Sequence, residues 1–152
     1  MLHGRTLLVL AWLTASLAAC GMPTSTAPVP VIEAAVLLRP GQREAPLIDV
    51  RGPTERGRDG ISATPHHWIT YGQDRGGAPV TELDGQNFLR QIRATIGAPP
   101  AAVVVFCSTG VRSARAAAAL ELAGYAATSV CDGWLGNHTG AGLRAAEAPA
   151  AR

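Results

Sequence analysis

From about residue 32 the chain alternates short β-branched apolar runs with longer stretches of helical spacing. Pro46-Leu-Ile-Asp-Val50 reads as a buried strand broken by Gly52-Pro53, and Val103-Val-Val-Phe106 as a second one. Ile32–Leu38 predicts either a short opening strand or a helical turn, ended by Arg39-Pro40-Gly41. His66-His67-Trp68-Ile-Thr-Tyr71 reads as a further strand, and a Gly-rich loop follows over Gln73–Val80. From Glu82 to Ile96, Leu83, Phe88, Leu89, Ile92 and Ile96 recur near helical spacing, which predicts an amphipathic helix whose apolar stripe is core. Gly97-Ala-Pro-Pro100 stops it. An Ala-rich helix is expected from Ser113 to Ala123 with Gly124 as its C-cap. Ala126–Cys131 reads as the last core strand, and Asp132-Gly-Trp-Leu-Gly136 turns away from it. Strands alternating with helices imply an α/β domain with a central parallel sheet and right-handed crossovers. Sites in such sheets form beyond the carboxyl ends of the strands.

The first thirty residues follow another pattern. Met1–Arg5 is a short basic segment, and Thr6–Ala19 is an apolar run of about fourteen residues. That falls short of the roughly 20 needed to span a bilayer and suits a secretory signal. The run ends in Leu17-Ala18-Ala19-Cys20, which resembles the bacterial lipoprotein box. The resemblance implies a signal peptide over residues 1–19, cleavage before Cys20 and lipidation of Cys20, which anchors the protein to a membrane. It also implies a periplasm-facing lipoprotein of the bacterial cell envelope, and Gly21 in place of an aspartate points to the outer membrane. The alternative is an ordinary cleaved signal in which Cys20 is incidental. Residues 20–31 then form a flexible Pro/Ser/Thr/Ala-rich linker, residues 32–146 the folded domain, and residues 147–152 a disordered tail.

Composition narrows the functional classes. The 152 residues allow one domain with a sizeable core. A formal charge of +2 is too small to argue for nucleic acid or for a basic membrane-surface patch. Every basic side chain is arginine, which reads as coding bias rather than function.

The chemistry gathers where the Val103–Phe106 strand delivers Cys107 onto a short polar loop that opens a helix. Backbone N–H groups converge at a helix N-terminus and favour negative charge there. A cysteine so placed is expected to be a thiolate and a nucleophile. Cys107, Gly110, Arg112 and Ser113 fill, without gaps, the pattern Cys-x-x-Gly-x-Arg-Ser. That loop resembles the active-site loop of the rhodanese (sulfurtransferase) family. The likeness extends to Asp49-Val-Arg51, Gly124-Tyr125 and Asp132-Gly133, and covers roughly residues 32–146.

The resemblance implies a rhodanese-like three-layer domain with helices flanking the parallel sheet. It implies a thiosulfate-type sulfurtransferase, in which sulfane sulfur passes through a Cys107 persulfide to cyanide, a thiol or a protein, with no cofactor. Ser108, Thr109, Gly110, Val111, Arg112 and Ser113 would form the persulfide-binding loop. Its N–H groups hold the anion, the Ser108 and Thr109 hydroxyls add hydrogen bonds, and Gly110 lets the backbone curl. Arg112 either points into the mouth to bind an anionic donor or pairs with a carboxylate to brace the loop. Arg51 is a second candidate for the donor anion, with Asp49 in support; alternatively the two form a structural ion pair. Ser113 reads as a helix N-cap. Cysteine phosphatases place five residues between cysteine and arginine, and this chain has four (Ser, Thr, Gly, Val), which favours sulfur over phosphate.

Three features depart from or add to the family pattern. Asp59-Gly-Ile-Ser-Ala-Thr-Pro65 replaces the family's His-Ile-Pro-Gly-Ala segment, so that entrance loop does not carry over. Cys131, where the family has an apolar residue, is either a buried inert thiol or a redox partner of Cys107 at the end of a neighbouring strand. The adjacent His66 and His67 point to opposite faces of a strand and have no ligand-type neighbour at a suitable spacing, so no metal is expected. A non-enzymatic reading also stands: a sulfur carrier or redox-sensing rhodanese-like module that turns over poorly.

Overall fold

The computed structural model describes residues 28–72 and 79–149. The signal peptide, Cys20 and most of the linker, Gln73–Ala78 of the Gly-rich loop, and residues 150–152 lie outside the described residues.

Among the described residues, five strands form one sheet: β1 (Val31–Ile32), β2 (Leu47–Asp49), β3 (His67–Trp68), β4 (Ala102–Phe106) and β5 (Ala126–Val130). Their order is β1-β5-β4-β2-β3, and every neighbouring pair is parallel. Among the described residues, four helices connect them, α1 (Ala34–Leu37), α2 (Pro53–Asp59), α3 (Glu82–Ile96) and α4 (Val111–Leu122), and α5 (Gly142–Ala146) follows β5. The result is a three-layer α/β domain with a central parallel sheet.

The period-two alternation of β4 shows how one apolar run serves two cores. Val103 and Val105 join Phe88 and Ile92 of α3 and Ala116, Ala117 and Leu120 of α4. Val104 and Phe106 join Ala34 and Leu37 of α1, Leu143 of α5, and Trp134 on the other face. Fully burying a side chain the size of Phe88 or Ile92 contributes on the order of 1.5–3 kcal/mol, and Leu89 and Ile96 pack partly against the same core. Leu83, expected in the stripe, is instead 65% exposed in the first turn of α3.

The opening segment is both a strand and a helical turn, since β1 runs directly into α1. The domain starts slightly before residue 32: Val31 pairs with Ser129 of β5, and the Pro30 carbonyl accepts from the Ser129 N–H at 2.9 Å. Beyond β3 the chain stays alongside β2, with the Ile69 N–H donating to Asp49 O and the Tyr71 N–H to Val50 O. α3 has the expected bounds, and Thr81 caps it by accepting from the Asp84 N–H. Gly124, at φ +89°, follows the last turn of α4.

Two expectations need correction. α4 begins at Val111, not at Ser113, because Gly110 takes φ +90° and opens the helix two residues earlier. Glu147 does not begin a disordered tail. Its carboxylate accepts from the Ser62 hydroxyl, from Ala63 N–H at 2.8 Å and from Thr64 N–H at 3.3 Å, tying the end of α5 to the segment before β3. Burial alone would raise the Glu147 carboxyl; the hydrogen bonds from Ser62, Thr64 and Ala63 outweigh it and hold the group below the ordinary glutamate value.

Candidate functional site

Cys107 stands at the carboxyl end of β4 and is only 2% exposed. Val50–Arg51 leaves the end of β2 on one side, and Cys131 leaves β5 on the other. The residues that follow Cys107 trace a tight curl into α4. Gly110 is required there, since a Cβ would lie 1.9 Å from Cys131 O and φ is in the left-handed region.

The carbonyls of the curl all have partners. Cys107 O accepts from Trp134 N–H at 2.7 Å, and Ser108 O from Leu135 N–H at 2.8 Å. Thr109 O accepts from the Asn137 side-chain amide at 2.8 Å. Gly110 O accepts from the Ser113 hydroxyl at 2.9 Å and from Ala114 N–H at 3.0 Å. In a trans peptide the N–H points opposite to the C=O. Holding these carbonyls on Trp134–Asn137 therefore turns the N–H groups of Ser108, Thr109 and Gly110 the other way. The first intrahelical bond of α4 is that of Ala114, so the N–H groups of Val111, Arg112 and Ser113 have no acceptor one turn back. The loop is a run of donors at a helix N-terminus, suited to an anion.

Ser113 is not the N-cap; Gly110 holds that position. Buried in the first turn, the Ser113 hydroxyl donates to Gly110 O and accepts from the Ser129 hydroxyl of β5 at 2.9 Å. It fixes the curl from beneath. Val111 is exposed at the loop rim, 63% accessible.

Arg112 meets a carboxylate that the sequence reasoning missed. Its Nη1 and Nη2 donate to the two oxygens of Glu55 at 2.6 and 2.8 Å. Glu55 also accepts from the Ser108 hydroxyl at 2.9 Å and from Gly52 N–H at 3.0 Å. Burial alone would raise the Glu55 carboxyl, but the Arg112, Gly52 and Ser108 hydrogen bonds outweigh it and hold the group below the ordinary glutamate value. The Glu55 carboxylate in turn raises the Arg112 guanidinium, to which Cys107 and Asp49 add smaller contributions. Of the two jobs open to Arg112, bracing the loop is the one it performs here. Gly52-Pro53-Thr-Glu55 carried the signal for Glu55: proline at the first helical position and glutamate at the third, reaching back to the N-cap N–H.

Arg51 corrects the expectation of a second donor-anion site. It is fully buried, donates through Nε and Nη2 to both oxygens of Asp49 at 3.0 and 2.7 Å, and reaches Gly60 O at 3.1 Å. Phe106 and Trp134 lie against its guanidinium, 5.5 and 5.0 Å from ring centroid to Cζ. A cation enclosed in this way braces the strand end and the chain at Gly60 after α2, and solvent ions do not reach it. Asp49 is its partner, in the structural ion-pair role. The end of α2 is held further by the Trp134 indole, which donates to Asp59 O at 2.9 Å.

Cys107 and Cys131 are both free thiols, and Cys131 is half-buried. Cys131 Sγ faces the Thr139 hydroxyl at 3.8 Å and lines a groove with Val31, Ile32, Glu33 and Val36. His66 is half-buried and His67 exposed. The Nδ1 of His66 lies 2.7 Å from Thr64 O, and its Nε2 accepts from the Trp68 indole, so both ring nitrogens are engaged. Among the described residues no group of histidine, cysteine and carboxylate side chains has metal-site geometry, and no helix is long and apolar enough to cross a membrane. No protein-family model matches the chain, and no curated protein matches it.

Proposed function

We propose that the chain is a rhodanese-like, thiosulfate-type sulfurtransferase with Cys107 as the catalytic residue. The observation that carries this reading is the loop from Ser108 to Ser113, whose carbonyls are tied back and whose N–H groups are left for an anion beside a cysteine. The Cys107 thiolate attacks the outer sulfur of thiosulfate. A Cys107 S–S bond forms, the bond between sulfane sulfur and sulfite sulfur breaks, and sulfite leaves with the electron pair. An acceptor thiolate or cyanide then attacks the outer sulfur of the persulfide, and Cys107 departs as the thiolate, ready for another cycle. Thiolate and persulfide are both anions, so hydrogen-bond donors that offer no acidic proton stabilise each without quenching it. The reaction needs no cofactor.

The partners in this reading are a small sulfur donor, a thiol or protein acceptor, and a membrane held through lipidated Cys20. The leader pattern around Leu17–Cys20 supports a periplasm-facing envelope lipoprotein, with Gly21 directing it to the outer membrane.

Intact mass of the reduced protein after thiosulfate treatment tests the assignment. A gain of one sulfur, removed by cyanide and missing in Cys107→Ser but present in Cys131→Ser, is the expected result. A chain that gains no sulfur refutes it.

One observation favours a second reading, a carrier or redox-sensing module with little turnover. Arg112 is committed to Glu55, and Arg51, paired with Asp49, is fully buried with its Nη1 left without a partner, so neither guanidinium stands open to a donor anion at the surface. Steady-state thiocyanate production separates the two. Sustained turnover supports the enzyme; a single loading without turnover supports the carrier.

A further inference from the structure

We propose that Asn137 is a positioning residue for the Cys107 loop, an inference that rests on the sulfur-transfer reading of that loop. The carbonyls of Cys107 and Ser108 are held by backbone N–H groups of Trp134 and Leu135, whatever side chains stand there. Thr109 O is held by a side chain instead. The Asn137 amide Nδ2 donates to Thr109 O at 2.8 Å and to Cys131 O at 2.7 Å. One amide therefore bridges the Cys107 loop to the end of the neighbouring strand.

The amide cannot turn over. Its Oδ1 accepts from the Thr139 N–H at 2.6 Å and from the Thr139 hydroxyl at 2.7 Å. The Asn137 backbone is paired with Gly140 in both directions. Both groups facing Nδ2 are carbonyls, so only an NH2 satisfies them. With Thr109 O fixed outward, the Gly110 N–H is turned to the opposite side of the peptide, where the loop's other donors lie. Aspartate at 137 has the same shape and keeps the Thr139 bonds, but it sets a carboxylate oxygen against two carbonyl oxygens. Alanine removes the bridge and leaves a gap that water can fill. Both variants release the Thr109–Gly110 peptide and weaken the field at Cys107.

The test is the pH profile of Cys107 alkylation by iodoacetamide in the full chain, resolved from Cys20 and Cys131 by peptide mass. Wild type is compared with Asn137→Asp, Asn137→Ala and the exposed-neighbour control His138→Ala. In Asn137→Ala the expected result is about a fivefold slower reaction near neutral pH, the size of one ordinary hydrogen bond. The profile moves to higher pH, the effect is larger in Asn137→Asp, and His138→Ala is unchanged. A folded Asn137→Ala protein with the wild-type profile overturns the proposal. A wild-type Cys107 that resists the reagent overturns it as well. If the profiles shift as expected but thiosulfate adds no cyanide-labile sulfur, the sulfur-transfer reading fails while the role of Asn137 stands.

Discussion

Replacing Glu55 by glutamine tests how the Cys107 loop is held. The carboxylate accepts four hydrogen bonds, two from Arg112, one from Ser108 and one from Gly52 N–H. Glutamine supplies one acceptor oxygen and turns an NH2 toward the remaining donors, so about two of the four bonds are lost and Arg112 keeps a charge with no counterion. Hydrogen bonds to charged groups are each worth about 1.5–3 kcal/mol. Arg112 is 19% exposed, so water recovers part of the loss. A net cost of about 2 kcal/mol is expected, which for a domain of this size lowers Tm by about 4–8 °C. Because the folded carboxyl sits below its unfolded value, its contribution is fully present above that unfolded value, about 4.3. It is lost as pH falls through the lower folded value. Thermal melts of wild type and Glu55→Gln at neutral and acidic pH should therefore show a gap that narrows below about pH 4. Equal melting temperatures at pH 7, or a gap that persists unchanged in acid, would refute the bracing role.

Gly110→Ala should abolish sulfur loading and lower Tm, since the new Cβ meets Cys131 O at 1.9 Å; loading at the wild-type rate would contradict the close packing of the curl. Asp132→Ala removes a buried acceptor of the Ala34 N–H at 2.9 Å and the Gly142 N–H at 3.0 Å, at the starts of α1 and α5. Two stranded donors cost about 1–3 kcal/mol each, read as a fall in Tm and as faster amide exchange in both helices.

The fold was legible wherever the hydrophobic period was long or uniform. The α3 stripe and the β4 run each identify themselves, because neither needs distant partners to set its period. The turn from β4 through Cys107 into a helix was legible because a β-branched run, a polar Gly-containing stretch and an Ala-rich segment stand next to each other. The support around it was not. Glu55 lies 57 residues from Arg112 and Asn137 lies 28 from Thr109, and a single carboxylate or amide in a polar stretch carries no periodicity. α2 was missed because Gly52-Pro53 reads as a break, although proline there starts the helix. Arg51 reads either as an anion site or as the ion-pair partner of Asp49, because nothing local in the chain tells that Phe106 and Trp134 close around it. By residue type Ser113 reads as a cap, yet the left-handed Gly110 opens the helix two residues before Ser113 would.

The strand order also sets when the protein can be completed during synthesis. β1 leaves the ribosome first but pairs only with β5, the last strand made, and the Asp132 side chain that holds the start of α1 follows still later. The segment that ties back the Cys107 carbonyls, Trp134–Asn137, emerges after nearly the whole sheet. Until then the thiol has neither its donors in place nor its cover. Contacts this distant along the chain slow folding, so the curl after Cys107 is fixed only when residues 134–137 dock on it, late in folding.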